Sequence, residues 1–248
     1  MFGVIIEVHC FSQQTGKIET DRPDQTESPY LVPKKWFQSE TGFSFEETRG
    51  GYKSFVYPTM LNKYGVSNRL ELRLITTWSS FETPSDVPSI KIVERGLEPV
   101  LIGAKVALFE EKNLRPKTSI LFHTSIPQAA SKVYRISRIT PDFKLAMQHS
   151  ITKNIALGYN IGAEWYGLAD SPAWFISLTS GIDFGNWSAY GEIYNILQHG
   201  EHPLNNIDAG ISYTFNDNYK FDLSYGYGLN PHAYFGHYVS FGFSFRVK

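Results

Sequence analysis

Residues 238–248 read "YVSFGFSFRVK". Val239, Phe241, Phe243, Phe245 and Val247 alternate with Ser240, Gly242, Ser244 and Arg246, the two-residue period of a strand with one apolar and one polar face. What the apolar face meets decides the fold, because a protein core and a lipid bilayer would both accept it.

The same period recurs upstream. Tyr219, Phe221, Leu223, Tyr225 and Tyr227 interleave with Lys220, Asp222, Ser224 and Gly226, and Ile207, Ala209, Ile211, Tyr213 and Phe215 with Asp208, Gly210, Ser212 and Thr214. Trp174–Phe184, Ile155–Trp165 and Leu70–Trp78 repeat it, and weaker candidates lie at 36–47, 52–62, 98–110, 117–127, 140–150 and 187–197. The total is about twelve strands, with no competing helical period. Tight connections at 63–68, 111–116, 152–154, 185–186 and 216–218 take turns with mostly longer ones at 79–97, 128–139, 167–172, 198–206 and 229–237. Short and long links in alternation describe an up-and-down antiparallel β-barrel, and an even strand count puts both termini on the short-turn, periplasmic rim.

Composition agrees. Of 248 residues 15% are aromatic and 19% charged, and the net charge of −1 gives no reason to expect a nucleic-acid partner. A lone Cys10 excludes an internal disulfide framework and a cysteine-based zinc cluster. No apolar run is long enough for a membrane helix, and the mean hydropathy is −0.24; strands of about 9–11 alternating residues cross a bilayer without such a run.

The polar face separates the two solvents. It combines glycines (Gly158, Gly162, Gly210, Gly226, Gly242) with charges. A sandwich exterior has no use for so much glycine, whereas a barrel interior needs small residues beside long inward ones. Trp78, Trp165, Trp174, Trp187, Tyr213 and Tyr219 near strand ends fit interfacial aromatic girdles. A soluble sandwich or lipocalin-like barrel with those aromatics in its core is the alternative.

The stretches "IETDRPDQTESPYLVPKKWFQSETGFSFE" (18–46), "YGVSNRLELRL" (64–74) and "LEPVLIGAKVALFEEKNLRPKTSILFHTSIP" (97–127) resemble the outer-membrane transporter-like β-barrel family named for the meta-pathway of phenol degradation. The likeness covers roughly 18–247, with 21–29 its most specific part. It implies a bacterial outer-membrane barrel with channel or transport activity, and carries over no functional residues.

The expected organisation is a signal-peptide remnant (1–14) of a Gram-negative envelope protein, a polar segment (15–34) that is either a periplasmic leader or a lumen plug, and a barrel (35–248). Candidate lumen residues are Glu40, Glu71, Arg73, Lys105, Asp142, Lys144, Glu164, Asp183, Glu192, Asp208, Lys220, Asp222 and Arg246. They read either as a path for small solutes or as a salt-bridge network filling a narrow barrel. Asp21, Arg22, Asp24 and Glu27 are the candidate plug. Selectivity is expected from the lumen charges and from the outer loops, chiefly 79–97.

Loop residues His199, Glu201, His202, His232 and His237 match no zinc spacing. His149 and Ser150 are adjacent on a strand and point to opposite faces, so they form no dyad. Neither a Gly-x-Ser-x-Gly elbow nor a cofactor motif is present, so no enzyme and no cofactor is expected. The functional expectation is a channel or transporter-like barrel contacting outer-membrane lipid and passing small solutes. The rival is a non-conducting structural barrel within a larger envelope complex.

Overall fold

The computed structural model describes residues 16–84, 92–165, 171–230 and 236–248. Thirteen strands follow in chain order: β1 (Phe37–Glu47), β2 (Lys53–Gly65), β3 (Leu70–Thr83), β4 (Ile92–Leu97), β5 (Val100–Phe109), β6 (Lys117–Ile126), β7 (Pro141–Ser150), β8 (Ile155–Glu164), β9 (Ala173–Phe184), β10 (Trp187–Gln198), β11 (Leu204–Asn216), β12 (Tyr219–Gly228) and β13 (His237–Val247). Chain neighbours other than β4 and β5 pair antiparallel, β13 pairs with β1, and the β2–β3 pairing completes the ring. β4 and β5 both pair with β3, β5 along its first half and β4 along its second. They fill one position between them, so the closed wall has the expected twelve.

Among the described residues every strand of the ring except β4, which pairs with β3 alone, has a ladder on both sides, so the wall satisfies its own backbone hydrogen bonds, the condition for strands in lipid. The burial pattern runs opposite to that of a soluble protein. Outward Phe221, Leu223 and Phe241 are 49, 49 and 54% exposed, while inward Glu40, Glu71 and Lys105 are fully buried. Such an apolar surface continued around the barrel is far larger than a soluble monomer tolerates, so lipid is the contact. The soluble-sandwich alternative fails on this inversion. Trp187 packs on Tyr213 at 4.9 Å near the short-turn rim, and Trp78 and Trp174 stand exposed toward the other.

Both strand ends next to the termini meet at the short-turn rim, where Phe37 opposes Val247. Two expectations about connections change. Residues 79–97 are not one loop: β3 continues to Thr83 and β4 begins at Ile92, so the hairpin extends beyond the expected strand end at Trp78. Consecutive buried Ser79 and Ser80 break the alternation and hide the continuation. Lys63, read as part of a turn, instead belongs to β2. A register shift between Val56 and Thr59 against β3 switches the parity of that strand and masks its second half. Residues 1–14, His232 and the 85–91 part of the expected selectivity loop lie outside the described residues.

Candidate functional site: the lumen and the segment inside it

Residues 16–34 carry Pro23, Pro29 and Pro33 and no two-residue period, so they cannot join the ladder. They enter the barrel at the short-turn rim, where Lys17 donates to Asn186 at 3.3 Å, and leave it at the same rim through a bridge between Lys34 and Gly65. Between those points their amide groups bond to side chains of the wall. Glu40 accepts from the Asp21 and Arg22 amides at 3.0 Å each, Glu192 from Gln25 at 2.7 Å, and Glu71 from Val32 at 2.7 Å. Asn160 accepts from the Glu27 amide at 2.7 Å and donates to its carbonyl at 3.0 Å. Wall carboxylates thus replace the ladder partners that proline-broken backbone cannot find.

The side chains meet the opposite charge. Asp21 accepts from Lys105 at 2.8 Å, Lys63 at 2.9 Å and Arg73 at 3.2 Å. Burial alone would push its carboxyl up, but Lys105, Lys63 and Arg73 hold it well below the usual carboxylate range. Glu27 accepts from both terminal nitrogens of Arg73 at 3.1 Å. Lys63 also pairs with Glu40.

Arg22 occupies a slot made by absence. Gly42 and Gly242 oppose each other across β1 and β13, and a Cβ at either would overlap the Arg22 guanidinium. Asp222 and Ser240 accept from the guanidinium at 2.9 and 2.8 Å. The inward glycines therefore have the role the sequence suggested. Gly226 and Gly210 do the same for the rings of Tyr238 and Tyr190, into which a Cβ would project.

The remaining candidates divide by depth. Lys220 donates to Thr20 at 3.0 Å, and Arg246 donates to the Gly16 carbonyl and lies 5.2 Å over the Trp36 ring, so both hold the segment near the short-turn rim. Asp183, exposed at that rim, accepts from Ser188 at 2.6 Å. Nearer the long-loop rim, Asp142 pairs with His123 at 3.1 Å and Lys144 lies 4.7 Å over the Phe175 ring. Asp208 accepts from Tyr238 at 2.7 Å. Glu164 closes β8 opposite Asp142, at the same long-loop end of the wall. Asp24 borders a cavity of about 370 Å³ between the segment and the β7–β12 wall, also bordered by Glu27, Tyr30, Tyr190 and Lys220. Among the described residues no group of three or more His, Cys, Asp or Glu side chains is placed to hold a metal.

Sequence reasoning missed Lys63, Asn160 and the polar anchors Ser177 and Ser119. Thr26 exchanges a 2.6 Å hydrogen bond with Ser177, and Ser119 donates to the Pro29 carbonyl at 2.6 Å. Asn160, Ser177 and Ser119 share the inward parity of their strands, which was the available signal, whereas the β2 register shift hid that of Lys63; nothing in the sequence said which inward residues the segment would reach.

Among solved structures the fold is similar to the COG4313 outer membrane channel from Pseudomonas putida F1 (TM-score 0.70, 10% identity, covering 88% of this chain and 97% of that one). It is also similar to the transport unit of the autotransporter AIDA-I from Escherichia coli (0.54, 10%, 93% of each chain) and the KdgM porin in complex with disordered oligogalacturonate (0.52, 10%, 83% and 98%). At these identities the likeness establishes the outer-membrane barrel fold. No curated protein matches the sequence. A family model does, over residues 20–247, nearly the whole barrel and the segment inside it: the chain belongs to the family described as "Putative MetA-pathway of phenol degradation".

Proposed function

We propose that the protein is a channel of the bacterial outer membrane for small polar solutes, with both termini periplasmic and residues 15–34 acting as a plug that constricts a charged lumen. The plug rests on one observation above all: Asp21 is held by three cations from three strands, β2, β3 and β5, well inside the wall. The short-turn rim, where the segment enters, corresponds to the periplasmic rim of outer-membrane barrels. Solutes would pass along the inward charges from Asp142 and Lys144 toward Lys220 and Asp183 once the segment yields. The channels and porins among the similar folds support the reading, and oligogalacturonate on KdgM is an example of a charged solute in such a barrel.

Planar-bilayer recording tests this. The full-length protein is expected to show small or intermittent conductance steps, and deletion of residues 15–30 to raise the step size severalfold. No conductance from either form would discard the channel and favour a structural barrel in a larger envelope complex.

A further inference from the structure

The cradle around Asp21 has the composition of a ligand site. Lys63, Arg73 and Lys105 are at most 3% exposed, come from three adjacent positions of the wall, and converge on one carboxylate that the wall does not supply. The wall carboxylates beside them are Glu40 and Glu71, and both accept amide hydrogens of the segment. Three cations against these two carboxylates leave one positive charge in excess whenever Asp21 and Glu27 withdraw. An excess positive charge facing a narrow lumen attracts a counter-ion, so the vacated cradle favours an anion. Its geometry selects the kind. Both terminal nitrogens of Arg73 point at Glu27, and the same Nη2 also reaches Asp21, so two carboxylates stand side by side on one guanidinium. Glu27 and Ser28 also border the 370 Å³ cavity on the β7–β12 side of the segment, within the size range that holds small ligands, so a solute there reaches the cradle once these two residues yield.

We propose that Lys63, Arg73 and Lys105 form a carboxylate-binding site in the lumen wall, occupied here by Asp21 and Glu27 of the chain's own segment, and that small dicarboxylates of about succinate length are solutes that compete for it. The segment is then a resident substitute for the solute: a dicarboxylate that takes the cradle removes the charges holding the plug. The second half of the proposal rests on the channel reading above, and the first does not.

The test uses the full-length protein folded in detergent, with succinate as probe and succinamide as the uncharged control. Calorimetric titration is expected to show succinate binding the Asp21→Ala/Glu27→Ala variant at least tenfold more tightly than the wild type. Adding Arg73→Met should return the affinity to the wild-type level, and succinamide should bind neither. If the folded double variant takes succinate no more tightly than the wild type, or takes succinamide equally well, the site is refuted.

Should the double variant not fold, the wild type decides the matter. Succinate should speed amide hydrogen exchange of residues 21–32 severalfold over potassium chloride of equal ionic strength, and equal rates refute the site. Absence of current in any salt from any form, with succinate still bound, would overturn only the solute role and the channel beneath it. Current without succinate binding would overturn the site and leave the channel.

Discussion

The last strand and the N-terminal segment are both held against the same wall, by opposite means. β13 is fixed by backbone ladders to β1 and β12 and, on its outer face, by ring contacts: Phe241 stacks on Phe43 at 4.9 Å, and Phe243 lies 5.1 Å from Phe221. Residues 16–34 use side chains of the wall as their partners, and nearly every anchor is charged or polar. A ladder needs only a period, and tolerates any residue that fits the face. A segment without a ladder needs individual partners at individual depths, so single atoms matter to it. The barrel is therefore expected to fail only when a whole face is changed, and the segment to release when one contact is changed.

The largest expected effect breaks the strand side of this contrast. Replacing Phe241, Phe243 and Phe245 together with Ser removes the lipid-facing stripe of β13 and should abolish outer-membrane assembly, read as loss of the variant from floated outer-membrane fractions. Normal flotation of that variant would mean lipid is not the contact of this face.

A smaller effect isolates the segment. Gly42→Ala or Gly242→Ala drives a Cβ into the Arg22 guanidinium, whose flexible end gives way before the wall does. Crowding of this kind costs about 1–3 kcal/mol. Amide exchange over residues 21–27 should accelerate by roughly tenfold or more, since each 1.4 kcal/mol is about a factor of ten. The heat-modifiable electrophoretic mobility of the folded barrel should stay unchanged. A loss of barrel stability with unchanged exchange would reverse the assignment of these glycines.

The smallest effect sharpens the electrostatics. Because the folded Asp21 carboxyl titrates well below its ordinary value of 3.8, its contribution to docking is present above the ordinary value and disappears as pH falls through the lowered one. Protection of residues 21–22 should therefore change little between pH 7 and about pH 4 and be lost only in stronger acid. Release already near pH 5 would show that the three cations do not hold this carboxylate.

The ladder side was legible because alternation is local. Strands such as β9, β11, β12 and β13 follow from their own residues, and the inward glycines from the need for space beside long side chains. Legibility failed where the period itself failed: at the β2 register shift, which hid Lys63, and at Ser79–Ser80, which hid the end of β3 and the start of β4. The candidate charges were legible as inward residues, since parity gives the face. Their partners were not, because the two members of each pair come from distant parts of the chain: Arg22 from Asp222, Glu27 from Arg73, Thr26 from Glu192.

The sequence by itself determined which face of each clear strand is apolar, the approximate strand number and the family, because each follows from a repeated local pattern or from a matched stretch. Only the tertiary structure decided where residues 16–34 lie and which cations Asp21 joins. Period-2 patterning says which way a side chain points, but the contacts of an unpatterned segment exist only after closure has brought β2, β3 and β5 around one carboxylate.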